Sequence, residues 1–363
     1  MQITLFILTL LLTFYGKMEA ALNLATSTSI SSDCSCEPNV TLGSSCSTYE
    51  IQLQALYLLP NSSNLNYAAE AYTIPHPTPH WTIHEIQPNY HLGFNLGLGY
   101  LFNETNTNLS LNWEHFDSED SASTAVASRN NMVGPFFEIG PDAILYKKAM
   151  GKASFHFDQI NLNYGMFVNF GKHLKTNLYY GINCVDINQT MSSTYSSADN
   201  NIVRSIKTPA KFIGLGPQLG FDFAYNVFSC CYVTGGTAGS ILIGTQKDYT
   251  TYKSLSPALT IYDITPPNKQ RTIVKLRTQI VPSFETRLGL NCAYTFCDHY
   301  TFSIEAGYEM QVYLNAIQTV DISSELVTPP VAPDTVGVFA RTFNRILSNF
   351  SLAGPYLNLN LNF

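Results

Sequence analysis

The chain has 363 residues, a formal net charge of -7, 13% aromatic and only 12% charged residues, and a mean hydropathy of +0.01. Soluble domains carry about a quarter charged residues and a nucleic-acid partner requires a basic face, so the composition is a poor match to the first and argues against the second. Past the N-terminal segment no stretch approaches the ~20 apolar residues of a spanning helix, which excludes helical membrane architecture. A β-barrel with apolar side chains towards lipid and amides towards a wet lumen gives neutral hydropathy without any such run.

The N-terminus, MQITLFILTLLLTFYGKMEA, is continuously apolar from Ile3 to Tyr15 and is followed by Ala20, Ala21 and Ala25. It reads as a secretory signal peptide, residues 1–21, in which the free amine supplies the missing positive charge. Residues 22–47 then form a periplasmic N-terminal segment and 48–363 the barrel. Export makes the cysteines candidates for disulfides: Cys34, Cys36 and Cys46 crowd the mature N-terminus, Cys230 and Cys231 are adjacent, Cys292 and Cys297 flank an expected turn, and Cys184 stands alone. Zinc is a poorer match, because Cys34 and Cys36 are too close for the usual spacer and no paired histidines follow.

Period-2 segments then recur with short and long connections in alternation. Tyr49, Ile51, Leu53, Ala55 and Tyr57 oppose Glu50, Gln52 and Gln54, with Leu56 and Leu58 blurring the far end. A second strand sets Tyr90, Leu92, Phe94, Leu96, Leu98 and Tyr100 against His91, Gly93, Asn95, Gly97 and Gly99, the tyrosines framing the leucines like an aromatic girdle. Leu109, Leu111 and Trp113 against Ser110, Asn112 and Glu114 make a third, and Ile160 to Phe170 a fourth with Phe167 as its exception. Leu174 to Asp186 returns as a fifth. In the sixth, Ile213 to Tyr225, Pro217 predicts a bulge.

A seventh strand reaches Thr245. Val274 to Asn291 and Phe302 to Leu314 are the most strictly alternating pair, and the tenth strand ends Leu357-Asn358-Leu359-Asn360-Leu361-Asn362-Phe363, so that the C-terminus closes the sheet. The segments 60–88, 117–152, 189–209, 247–271 and 316–345 are long and rich in Ser, Thr, Asn and Pro. Long loops face outward and short turns the periplasm, which predicts an all-β, antiparallel up-and-down transmembrane barrel of about ten strands, with twelve or fourteen open if the loops, such as Phe136 to Tyr146, hide more.

The inward positions carry Glu50, Asp222, Lys275, Arg277, Glu285, Arg287, Glu305 and Glu309 as lumen-lining charges. Glu285, Arg287, Glu305 and Glu309 could form an acid/base group, but cross-strand satisfaction of lumen charges explains them without catalysis. His76, His80 and His84 have a helical metal spacing that Pro75, Pro77 and Pro79 forbid. With no GxSxG, phosphate loop or HExxH, no enzyme, cofactor or metal site is expected.

The segments FIGLGPQLGFDFAY, GSILIGTQK, IEAGYEMQVYLN, HFDQINLNYG and the ending FSLAGPYLNLNLNF, in that strand context, resemble the major outer membrane protein family of Legionella and its chlamydia-related counterparts. The resemblance implies an abundant pore-forming protein of the bacterial outer membrane, surrounded by lipid and folded by the barrel assembly machinery through Phe363. It also implies, in the chlamydial style, disulfide links to other envelope proteins or within a homo-oligomer, with Cys230, Cys231 and Cys297 in periplasmic turns. The first functional reading is a porin for small polar solutes or ions. Its rival is a structural or adhesive surface barrel with a largely closed lumen, since ten strands lie between the closed barrels of eight and the channels of sixteen. A transporter of hydrophobic substrates would need an apolar lumen, and the inward faces read as polar.

Overall fold

The computed structural model describes residues 48–72, 81–102, 105–126, 131–134, 146–170, 173–197, 203–228, 231–254, 269–273, 276–296, 300–327 and 337–363. Fourteen strands occur among them: β1 (Thr48–Ser62), β2 (Asn66–Tyr72), β3 (Trp81–Glu85), β4 (His91–Phe102), β5 (Thr107–Ala125), β6 (Asn131–Gly134), β7 (Lys148–Phe170), β8 (Leu174–Ser196), β9 (Val203–Phe228), β10 (Cys231–Ser254), β11 (Lys269–Ile273), β12 (Arg277–Phe296), β13 (Tyr300–Val327) and β14 (Gly337–Asn362). Ten of them, β1, β4, β5, β7, β8, β9, β10, β12, β13 and β14, pair antiparallel in that order around a ring that closes through β14 on β1. The extra strands do not enlarge it. β11 pairs only with the loop end of β10, and β3, β2 and β6 form a separate sheet at that end.

The alternation dictates which way each strand faces. Leu92 and Leu219 are 76% and 70% exposed on the outside, whereas the opposite-parity Leu56 and Phe157 are wholly covered inside. At the turn end Tyr49 packs against Tyr100 and Phe363, with ring centroids 5.1 and 5.9 Å away. Nearer the loop end Tyr57 stacks on Tyr90 at 5.2 Å and Phe94 meets Trp113 edge-on at 5.2 Å. These two aromatic rings of side chains frame the lipid-facing leucines, as interfacial girdles do.

The strands outrun the apolar band. A strand of 23 residues, such as β7, is roughly 75 Å long at ~3.3 Å per residue and, tilted by ~40°, still rises about twice the ~25 Å band. The flanks of the segments expected as loops at 117–152, 189–209, 247–271 and 316–345 are therefore continuations of ladders: β5 runs on to Ala125 and β7 starts at Lys148, β8 reaches Ser196, β9 starts at Val203 and β13 reaches Val327. Outside lipid, both faces of a strand can be polar, so the hydrophobic alternation fades while the backbone pairing continues. Of the possible hidden strand Phe136 to Tyr146, only Tyr146 lies among the described residues, where it bridges Val133.

Pro217 makes no bulge. It continues the β8 ladder opposite Ile182, and the β9–β10 register is the same on either side of it, although Gly216 and Pro217 themselves have no partner on β10. Beside it the strands run close together: a Cβ on Gly216 would meet the Ile241 carbonyl oxygen at 1.9 Å. Irregularities fall elsewhere, at Cys231/Tyr232 and between Tyr313 and Ile317. In the second of these Asn315 takes a positive φ of 58°, a conformation asparagine tolerates better than most residues.

Candidate functional site

Along the inside, the barrel is layered. At the turn end lies a cavity of about 590 Å³ lined by Glu50, Asn95, Asn108, Asn163, Asn177, Asp222, Arg287 and their neighbours. Phe167, the exception in its strand's pattern, is one of its walls. The amide oxygens of Asn95, Asn108, Asn163 and Asn177 have no protein partner although buried. The lining of carboxylates, amides and one guanidinium makes this space suit water or a polar solute.

Above it the strands contribute a belt of amides and carboxylates that bond across the lumen. Gln311 of β13 donates to both carboxylate oxygens of Glu114 on β5 at 2.8 Å. Gln159 of β7 donates to Glu285 of β12 at 2.5 Å, and Gln54 of β1 to Glu309 of β13 at 2.8 Å. One inward position further along come Phe116 after Glu114, Phe157 before Gln159, Tyr313 after Gln311 and Leu56 after Gln54, all buried. Phe157 lies 5.6 Å from Tyr313 and 5.8 Å from Phe350, and Phe155 lies 5.9 Å from Phe350. With Leu58, Ile187, Phe212, Leu242 and Ile317 these rings fill the loop-side interior as an apolar core. Beyond this apolar layer the interior is polar again, with Gln189, Gln246, Asp248 and Gln318 buried and Gln318 donating to Asp248 at 2.9 Å; an apolar layer thus interrupts the lumen, which corrects the expectation of wholly polar inward faces.

Of the expected lumen charges, Glu50, Asp222, Glu285, Arg287 and Glu309 line the cavity. Glu305 faces inward but is covered, accepting from Tyr356 at 2.5 Å and from Asn291 at 3.2 Å. Arg277 does not line the lumen: it is exposed at the loop end of β12. There β12 pairs with β10 alone, because its ladder with β13 begins at Ser283 and Tyr313, so the inward parity of Arg277 opens onto solvent. Lys275 lies outside the described residues.

The charges also satisfy one another differently from a neighbouring-strand pattern. Arg287 reaches over β10 to Asp222 at 3.0 Å. It can do so because Gly236 is the Cα partner of both and has no side chain between them. Glu114, Glu285 and Glu309 take glutamine amides instead. Glu114, Gln159, Gln311 and Gln54 escaped the sequence reading as a set, since nothing in one strand shows which side chain lies across the lumen. The inward glycines of β9 make room for neighbouring rings, since a Cβ at Gly214 or Gly220 would strike those of Phe212 or Tyr179.

Among the described cysteines, Cys231 and Cys292 are Cα partners on β10 and β12, with sulfurs 2.6 Å apart near the turn end. Cys292 therefore belongs within a strand and faces Cys231, rather than flanking a turn with Cys297. Cys184 sits alone on β8, and Cys34, Cys36, Cys46, Cys230 and Cys297 lie outside the described residues, as do His76 and His80. His84 meets Glu70 at 3.3 Å. At the seam Tyr49 and Phe363 exchange backbone hydrogen bonds of 2.8 and 3.0 Å.

Similar solved structures include the outer membrane protease OmpT from Escherichia coli, at 10% identity over 87% of this chain and 97% of that one, with a TM-score of 0.41. The translocator domain of the autotransporter NalP from Neisseria meningitidis matches at 10% identity over 97% and 96%, with a TM-score of 0.31. The Pseudomonas putida toluene transporter TodX matches at 9% over 87% and 89%, with a TM-score of 0.29. Likeness at this level carries no argument about activity. No curated protein sequence matches the chain. Residues 41–363 match the family model described as the Legionella pneumophila major outer membrane protein precursor, and with its closed, lipid-facing ten-strand ring this chain belongs to that family of bacterial outer-membrane proteins.

Proposed function

We propose that this protein is a porin, passing small polar solutes or ions, cations in preference to anions. The observation that carries the reading is the polar cavity: Glu50, Glu114, Asp222, Glu285 and Glu309 line it against the single cationic side chain of Arg287. Charge lining a narrow wet passage sets ion preference. Passage through the loop-side half requires the aromatic layer of Phe157, Tyr313 and Phe350 to move aside, so the pore is gated rather than permanently open.

The same layer supports a second reading, a structural or adhesive surface barrel with a closed lumen, cross-linked by disulfides in the envelope or in a homo-oligomer. Planar-bilayer recording separates the two. Purified protein is expected to give discrete, cation-selective conductance steps, rare in the wild type and frequent in a Phe157→Ala/Phe350→Ala variant. Silence from both proteins, with each shown to be folded by heat-modifiable gel mobility, would leave the closed barrel.

A further inference from the structure

On the outer wall, β5 and β7 carry a two-by-two block of histidine and aspartate. His115 and Asp158 are Cα partners, as are Asp117 and His156, so each ladder row and each strand alternates one imidazole with one carboxylate. The side chains close a square. His115 Nδ1 lies 2.9 Å from Asp158 Oδ1 and His115 Nε2 lies 3.1 Å from Asp117 Oδ2. His156 Nδ1 lies 2.6 Å from Asp117 Oδ1 and His156 Nε2 lies 3.1 Å from Asp158 Oδ2.

A neutral imidazole has one N–H, so in the neutral square two rings offer two donors to four nitrogen–oxygen approaches, and the other two set lone pair against lone pair. A divalent cation uses those lone pairs. Ligand atoms of His115, His156 and Asp158 all lie within 4.8 Å of one another, and the 2.9 and 3.1 Å approaches of His115 Nδ1 and His156 Nε2 to Asp158 lie near the roughly 3.3 Å separation of ligands around a tetrahedral ion with ~2.0–2.1 Å bonds. Two imidazoles with a carboxylate suit a borderline transition ion and not Mg²⁺ or Ca²⁺.

The supporting shell is also present. Trp113 donates its indole N–H to Asp158 at 3.2 Å, fixing that carboxylate as outer-shell groups do at metal sites. The Phe94 ring covers His115 at 5.3 Å. Asp117 is the exposed corner, its side chain 61% accessible, against 26% for His115 and 32% for Asp158. Two residues beyond the girdle residue Trp113 on the loop side, the block stands just outside the apolar band, on the wall rather than in the lumen.

We infer that His115 through Nδ1, His156 through Nε2 and Asp158 bind one divalent transition-metal ion of the Zn²⁺ type on the outside of the barrel, with Asp117 accepting from the opposite nitrogens of both rings as an outer-shell carboxylate. The site is independent of the pore reading, since none of the four lines the cavity. The test is Zn²⁺ titration of the full-length protein in detergent with its thiols alkylated, compared with His115→Asn/His156→Asn, followed by zinc-edge X-ray absorption. The wild type is expected to bind one equivalent more than the variant, with the absorption spectrum showing two imidazoles, and Asp158→Asn to weaken that equivalent at least about tenfold. Equal stoichiometry in wild type and the double variant, with both heat-modifiable and so folded, would mean a hydrogen-bonded square only and would overturn the site. A bound ion without imidazole scattering would overturn it too.

Discussion

At the scale of one residue, the wall of the lumen depends on where a side chain is missing. Gly236 lets Arg287 cross over β10 to Asp222, and a Cβ added there would stand 2.1 Å from Asp222 Oδ1. Gly236→Ala must push the carboxylate aside and leave the guanidinium facing the cavity without that partner. Overpacking of this kind costs about 1–3 kcal/mol, and separating a partly buried ion pair adds to it. The variant is expected to unfold from lipid vesicles at a lower urea concentration than the wild type, whereas Gly134→Ala, where nothing lies within 4 Å of the added carbon, should leave the midpoint unchanged.

Between elements, the β10–β12 ladder places Cys231 and Cys292 opposite one another across a chain separation of 61 residues. In an oxidising envelope two such thiols are expected to form a disulfide, passing two electrons and two protons to an external disulfide. Closing a loop of that length stabilises the fold by about 4 kcal/mol on the chain-entropy account. Alkylation and mass measurement of unreduced protein should find both thiols blocked, and Cys292→Ser should free Cys231 and lower the heat-modification temperature. Labelling of both thiols in protein taken directly from the outer membrane would refute the link.

Strand positions within the apolar band were legible in the sequence because lipid outside and water inside force a strict two-residue alternation: the Tyr49, Tyr90 and Phe302 strands all face as read. Beyond the band that force lapses, which is why the far halves of β5, β7, β8 and β13 read as loops. Leu56 and Leu58, which break the first strand's pattern, are the trace of the apolar layer that the alternation alone could not interpret. The Arg287–Asp222 pair, the amide–carboxylate belt and the His–Asp square each need partners from strands distant in sequence or a register that the chain does not announce.

For the whole molecule, closure and layering are the two properties that matter. Closure rests on the seam, where Phe363 exchanges backbone bonds with Tyr49 and its ring lies 5.9 Å from that tyrosine. Phe363→Asp keeps the backbone pairing available but removes the ring contact and sets a charge in the turn-end girdle. The yield of heat-modifiable barrel in the membrane is expected to fall about twofold or more, while Phe363→Tyr, which keeps a stacking ring, should assemble normally. Equal yields from all three would show that the seam needs only the backbone.

Layering makes the turn-side cavity the part of the lumen that an ion meets in water, with the amide–carboxylate belt as its ceiling. Glu50 lies on β1 and Glu285 on β12, so both contribute charge to one wet space from separate walls. Replacing both by glutamine removes two of five carboxylates while preserving shape and hydrogen-bonding capacity, and Arg287 remains. Because lumen charge sets ion preference, the K⁺ to Cl⁻ permeability ratio of the Phe157→Ala/Phe350→Ala background should fall about twofold or more when Glu50→Gln and Glu285→Gln are added, read as a reversal potential moving towards zero in a salt gradient. An unchanged reversal potential, with conductance steps still present, would place the path of the ion outside this cavity.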